Sequence, residues 1–338
     1  MDIIITIDVE ASRYRGRPLP FSKMVYGKLG DKYFGISAIM DICDAYGIKA
    51  TFFVDVYEYR YFGEEELEKV CESIKKRNHD VQLHTHPGWI SDRTHMKDHT
   101  LAEQIKIIQE GKELLYKWIG EYPIAHRAGS YAANMDTLDA LRINGIPIDS
   151  SYFLNYPTCN LRFSAVNQIF EQNEIIEIPV TLFTPLKLGR YKNYRSVDIN
   201  SCTLSELKHA ISEGYDNDLK VMILFLHSFS FVKRNRNKTS FYPDNYCKQK
   251  FDKLLDFIVK NDKIRFTTMK DFHKSYLKFP ALFTGQDYVP HSGIRRTFLR
   301  ACKDFRTSWK NQLFLLFALF CCIAFLLLIY KFILFLSA

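Results

Sequence analysis

Several catalytic signatures are missing from this 338-residue chain. It has no Gly-x-Ser-x-Gly, so a nucleophile-elbow serine hydrolase is not indicated. It has neither Gly-x-Gly-x-x-Gly nor a P-loop, so a nucleotide cofactor is not indicated. Its eight cysteines show no paired spacing, which argues against a disulfide framework or a zinc ribbon and for buried thiols in a reducing compartment. The first apolar run, between Asp2 and Asp8, is short and no basic stretch precedes it, so no secretory leader is expected. There is no sequence repeat and no low-complexity linker.

What remains can build a large core. Apolar residues make up 47%, including 27 Phe and 20 Tyr, enough for one sizeable domain and an appendage. The net charge is +8. Much of the surplus sits in two clusters, Lys233/Arg234/Arg236/Lys238 and Arg295/Arg296/Arg300/Lys303/Arg306/Lys310. Neither is interleaved with aromatics as in a nucleic-acid module, so both read as membrane-surface or solvated charge and no nucleic-acid partner is expected. Leu313 to Tyr330 carries no charge over 18 residues, roughly 27 Å as a helix, and it is apolar on every face. The basic residues before it would keep that side in the cytoplasm. The expected organisation is a globular domain over 1–280, a basic juxtamembrane linker over 281–311 and a transmembrane helix over 312–337. The domain would face the cytoplasm from a cytoplasmic membrane.

Within the domain, strand and helix signals alternate about seven times. Helices are expected over 36–46, 64–77, 101–118, 134–143, 203–212 and 246–259, with Gly47 and Gly120 as stops and Asn134 as a cap. Strands are expected over 3–9, 49–54, 79–85, 123–127, 146–150, 175–180, 221–226 and 263–267. Such alternation implies a parallel sheet with helical crossovers. Residues of chemical interest fall at successive strand ends: Asp8 and Glu10, Asp55, His84 and His86, Arg127, Asp149, His227. In a β/α barrel those ends meet at one mouth, so the expected fold is an α/β, distorted (β/α)7-type barrel followed by the C-terminal span.

Period two along a strand puts His84 and His86 on one face, and likewise Asp8 and Glu10. Two imidazoles and one carboxylate make a three-ligand site for a divalent cation, with zinc the expected metal. Either carboxylate can take the cation, leaving the other as base; the working assignment gives Glu10 to the metal with His84 and His86, and Asp8 to proton transfer. Arg127 can orient the base. His227 can protonate a leaving amine, and backbone N–H groups around Gly129–Tyr131 can receive an oxyanion. Asp149 completes the catalytic candidates; Tyr131, Asp55 and Trp89 are the candidate substrate contacts. Singly, each residue has a plainer role as helix cap, turn residue, ion pair or core histidine; their joint placement carries the reading.

At these residues the sequence resembles the polysaccharide deacetylase (NodB-homology, carbohydrate esterase family 4) superfamily. Thr6-Ile7-Asp8-Val9-Glu10 resembles its first motif, which supplies base and metal carboxylate. Ala50-Thr51-Phe52-Phe53-Val54 resembles the strand after the family's first helix. His79-Asp80-Val81-Gln82-Leu83-His84-Thr85 resembles the metal-histidine motif, and Arg127-Ala128-Gly129-Ser130-Tyr131 the arginine motif. Ile148-Asp149-Ser150-Ser151 and Leu226-His227-Ser228 complete the set, the last bearing the acid histidine. The chain departs in three places: Val9 separates two carboxylates that are adjacent in the family, Gly88 stands where the second metal histidine is usual, and Ser130 replaces a proline. The resemblance implies metal-dependent removal of N- or O-acetyl groups from a saccharide. With the tail, it points to a lipid-linked sugar or nascent glycan. The alternatives are a related amide hydrolase of deformylase or cyclic-amide type, and an inactive membrane-tethered barrel serving as a scaffold.

Overall fold

Alternation along the strands sets the architecture. The computed structural model describes residues 1–14, 17–185, 187–188, 191–293, 296–297 and 300. Strand β1 (Asp2–Val9) is buried along its whole length, as expected of a strand covered on both faces. Ile3, Ile5, Ile7 and Val9 pack with the helices in one core cluster, and Ile4 belongs to a second. The same split runs through β2 (Thr51–Asp55), β3 (Asp80–Thr85), β4 (Ala125–Ala128), β5 (Ile148–Asp149) and β8 (Val221–His227). Phe53, Ala125, Ile148, Val221 and Ile223 join Ile4 on the inner side.

With β6 (Phe170–Gln172), β7 (Ile175–Glu177) and β9 (Arg265–Thr267), these strands form one nine-stranded sheet ordered β6-β7-β5-β4-β3-β2-β1-β8. All pairings are parallel except β6 with β7. Opposite β8, the free edge of β1 is shared: its start pairs with β9 and its end with β2. The curled, mixed sheet is a half-barrel rather than seven regular strands. Irregular chain after β7 links the end of β5 to β8. The Ile178 N–H donates to Asp149 O (2.9 Å), Ile223 N–H to Thr181 Oγ1 (2.8 Å), Val197 N–H to Thr181 O (2.9 Å) and Phe225 N–H to Val197 O (3.0 Å). The result is consistent with a distorted β/α barrel.

The helices are α1 (Ile36–Ala45), α2 (Glu64–Lys76), α3 (Leu101–Ile119), α4 (Met135–Ile143), α5 (Leu204–Asp216), α6 (Asn245–Val259) and α7 (Met269–Lys278). Thr100 and Glu103 cap α3 reciprocally, and Gly120 ends it in the left-handed region at φ 66°. Asn134 caps α4, as expected. Helix α7 has no counterpart among the expected elements. It closes the lower end of the barrel: Met269 and Phe272 enter the inner core, while the Met269 and Lys270 N–H groups bond Thr51 and Asp80 at the starts of β2 and β3.

Two readings of the basic clusters need correction. Arg300 is buried and ion-paired with Glu206 at 2.7 Å, so that member of the C-terminal cluster belongs to the folded domain. The Arg234 guanidinium lies over the Phe229 ring at 4.7 Å and is not simply solvated. Cys43, Cys71, Cys159, Cys202 and Cys247 are buried free thiols. The run Leu313–Tyr330 lies outside the described residues, as do Arg295, Lys303, Arg306 and Lys310. Among the described residues, no helix is long and apolar enough to cross a membrane.

Candidate active site

The ends of β1 and β3 bring Glu10, His84 and His86 together, with one ligand atom from each within 4.8 Å of the others. Glu10 Oε2 lies 2.8 Å from His86 Nε2 and 3.6 Å from His84 Nε2. His84 Nδ1 is 2.8 Å from the Arg127 carbonyl oxygen. A carbonyl only accepts, so Nδ1 carries a proton and Nε2, on the side of the carboxylates, is the nitrogen available to ligate a metal. Gly129 packs against the other histidine: a Cβ built there would meet His86 Cε1 at 2.3 Å and Nδ1 at 2.4 Å. Any side chain at 129 would push that ring out of place. Two nitrogens and one carboxylate oxygen at this spacing fit a tetrahedral cation that keeps a position open for water or substrate.

Asp8 sits beside this cluster but is held differently. The Arg127 Nη1 donates to Asp8 Oδ1 at 2.8 Å, and Asp8 Oδ2 is 3.8 Å from His84 Nε2. Arg127 is fully buried. It also donates to Thr6 Oγ1, Ser150 O and Ser150 Oγ at 3.0, 3.1 and 3.1 Å, with Phe53 and Phe225 against its guanidinium. His227 closes the opposite side, its Nε2 3.8 Å from Glu10 Oε1 and its ring stacked on Phe229.

The electrostatics follow from these contacts. Burial raises Glu10, but His86, His84 and His227 outweigh it and hold the carboxyl well below its ordinary value. Burial lowers His86, but the Glu10 carboxylate lifts it to about 9. Without metal, the His86 contribution to stability is therefore complete below its ordinary 6.5 and is lost as pH rises through about 9. The Glu10 contribution is present above 4.5 and is lost as pH falls into the range below it. A cation must displace the His86 proton. Apparent zinc affinity should thus climb about tenfold per pH unit from neutrality until His86 deprotonates near 9. Competition against a chromophoric chelator, corrected for its own protonation, measures this; an affinity flat over that range would show that His86 is not a ligand.

The cluster opens into a cavity of about 360 Å³ also lined by the aromatic Tyr131, Phe153, Tyr156 and Phe225 and by the polar Arg195, Ser196, Asp198 and Ser201. Ser130 and Tyr131 adopt φ of 54° and 55°, a left-handed turn that L residues rarely take, at the rim beside the cluster. Across Glu10 and His86 a second cavity, about 240 Å³, is lined by Asp55, Glu58, Trp89 and Thr94. Asp55 is fully buried; its Oδ1 accepts from the Tyr57 N–H at 3.3 Å, and its Oδ2 has no hydrogen-bond partner. Burial raises it to about 6, against the pull of the two histidines.

The structure thus gathers Asp8, Glu10, His84, His86, Arg127, Tyr131 and His227 around one cavity, with Asp55 and Trp89 in the adjoining one. Asp149 is not among them. It faces the helix layer, where its Oδ1 meets His126 Nδ1 at 2.7 Å and accepts from Ser151 Oγ at 2.8 Å. Its neighbour Ser150, just past the end of β5, is the residue that reaches Arg127. Phe225 and Ser150 were findable by alternation from His227 and Ile148. Arg195, Ser196 and Ser201 come from chain that no periodicity marks, although Arg195 and Ser196 pair with Phe183 and Leu182 in a short ladder.

Fold and site together define a β/α-barrel protein with a hydrolase-type carboxylate–histidine centre at the strand C-termini. Residues 31–148 match the family model described as Polysaccharide deacetylase. That segment contains Asp55, His84, His86 and Arg127; the fold supplies Asp8, Glu10 and His227. The chain shares 16% identity with a Mycobacterium smegmatis protein assigned to the polysaccharide deacetylases, covering 86% of this chain and 94% of that one at a TM-score of 0.56. It shares 10% with Puue allantoinase, covering 82% and 90% at 0.52. Both likenesses concern the fold. No curated protein matches the sequence. The family match supports the polysaccharide deacetylase superfamily for residues 31–148.

Proposed function

We propose that this protein is a metal-dependent hydrolase that removes acetyl groups from a saccharide, an N-acetyl group foremost. The observation that carries the reading is the Glu10–His84–His86 cluster with Asp8 fixed beside it by Arg127. Glu10, His84 and His86 would hold the ion, and a donor set of two imidazoles and a carboxylate suits zinc. A bound divalent cation would supply Lewis acidity to the acyl carbonyl and acidify water.

The chain's own residues do the rest. Asp8, its Oδ1 fixed by Arg127, keeps Oδ2 on the cluster side and takes a proton from the attacking water. His227, level with Asp8 on the neighbouring strand β8, gives a proton to the departing nitrogen. The aromatic wall of Tyr131, Phe153, Tyr156 and Phe225 offers apolar faces to a sugar ring and keeps bulk water out.

The apolar run Leu313–Tyr330 supports a further part of the proposal: the enzyme is anchored in the cytoplasmic membrane, faces the cytoplasm, and acts on a lipid-linked sugar or nascent glycan. The test uses full-length protein in its membrane fraction. Acetate release from a panel of acetamido sugars should vanish on chelation and return with zinc, and His84→Ala should abolish both zinc binding and turnover. Zinc-loaded protein that releases acetate from no member of the panel would defeat the reading.

A further inference from the structure

The cavity that exposes these aromatic rings also carries a guanidinium, that of Arg195. Arg195 pairs in backbone register with Phe183 in a short two-stranded ladder, so its position is set by β geometry rather than by a floppy loop. Its side chain lines the same cavity as the Glu10–His84–His86 cluster, together with the Ser196 and Ser201 hydroxyls. Among the described residues no carboxylate forms an ion pair with it. Asp198, which lines the same cavity, has its Oδ1 bound by the Asn200 N–H at 2.7 Å. A second guanidinium, Arg234, lies behind the His227 wall, over the Phe229 ring that stacks on His227.

An arginine facing a cavity with two hydroxyls and no partner of its own suits a ligand oxyanion, which it can grip with two parallel N–H donors. We infer that Arg195, with Ser196 and Ser201, binds an anionic substituent of the substrate. The substrate class is then an acylated amino sugar bearing a phosphate ester, with its ring on the aromatic wall and its acyl group at the cluster. This rests on the deacetylase reading for the acyl group but on Arg195 alone for the charge. A uronate carboxylate would offer the same oxyanion chemistry, so the test carries both.

Binding to zinc-loaded full-length protein is measured by calorimetry for N-acetylglucosamine 1-phosphate, an N-acetylated amino uronic acid and the neutral methyl glycoside of N-acetylglucosamine, with acetate release followed in parallel. The phosphate should bind at least about tenfold more tightly than the neutral glycoside, the scale of one charge-assisted contact. That ratio should collapse toward one in Arg195→Ala and survive in part in Arg195→Lys, with each variant's folding checked by its melting curve. A uronic acid bound more tightly than the phosphate would overturn the phosphate assignment. Equal binding of all three, or a preference that Arg195→Ala leaves intact, would overturn the inference; turnover of the neutral sugar would then leave the deacetylase reading standing. Arg195-dependent selectivity without acetate release would do the reverse.

Discussion

Replacing Asp8 by Asn is expected to lower kcat for acetate release by about 10²- to 10⁴-fold, the range for loss of a positioned general base, while zinc affinity changes far less. Asparagine has the same shape and can still present an oxygen to the Arg127 Nη1, which lies 2.8 Å from Asp8 Oδ1. What it lacks is the lone pair that would take a proton on the side facing His84. Glu10→Gln should behave in the opposite order, because Glu10 contacts His86 at 2.8 Å and lies within 4 Å of His84 and His227. That variant should lose zinc first and activity as a consequence. The pair of variants, assayed for bound zinc and for turnover at saturating metal, separates a base from a ligand. If Asp8→Asn keeps activity within a few-fold, the base lies elsewhere, and if it loses zinc while Glu10→Gln keeps it, the two roles are exchanged.

The two carboxylates show what alternation along a strand can and cannot decide. From sequence, Asp8 and Glu10 share a face and either could take a metal. The three-dimensional difference is that Arg127 reaches only the first, from a strand 119 positions away. Such a partner is invisible to local periodicity. The same rule selects the neighbouring residue at the end of β5. Ile148 enters the inner core, so its neighbour Asp149 must point outward and Ser150 inward; reading the strand end by residue type rather than by parity put Asp149 at the mouth. Helix α7 was also legible. Met269, Phe272 and Tyr276 recur at helical spacing, and all three pack in the inner cluster or against it. By contrast, no pattern announces the chain over 181–185 and 191–201. Its backbone completes the ring through Thr181 and Val197 and delivers Arg195 to the cavity. Long-range hydrogen bonds, not propensity, place it.

Arg127→Ala is expected to destabilise the domain by about 3–5 kcal/mol, the cost of leaving one member of a buried ion pair alone. The guanidinium is fully buried and ties β1 to the end of β5 through Asp8, Thr6 and Ser150, bonds that no smaller residue can replace together. Its removal strands the Asp8 carboxylate, which is only 6% exposed, and opens a void between Phe53 and Phe225. Arg127→Lys should fall between the extremes. An ammonium can still face Asp8 but cannot also reach both Ser150 oxygens. A double-mutant cycle apportions the effect. Pairing Arg127→Met with Asp8→Asn removes both charges while refilling much of the volume, so the double variant should be more stable than the sum of the single losses implies. Urea denaturation of the zinc-free protein reads the differences without interference from metal binding. If Arg127→Ala cost less than about 1 kcal/mol, the scale of an exposed pair, the Asp8 contact would not be what holds these strand ends together. The rigid placement of the base would then need another source.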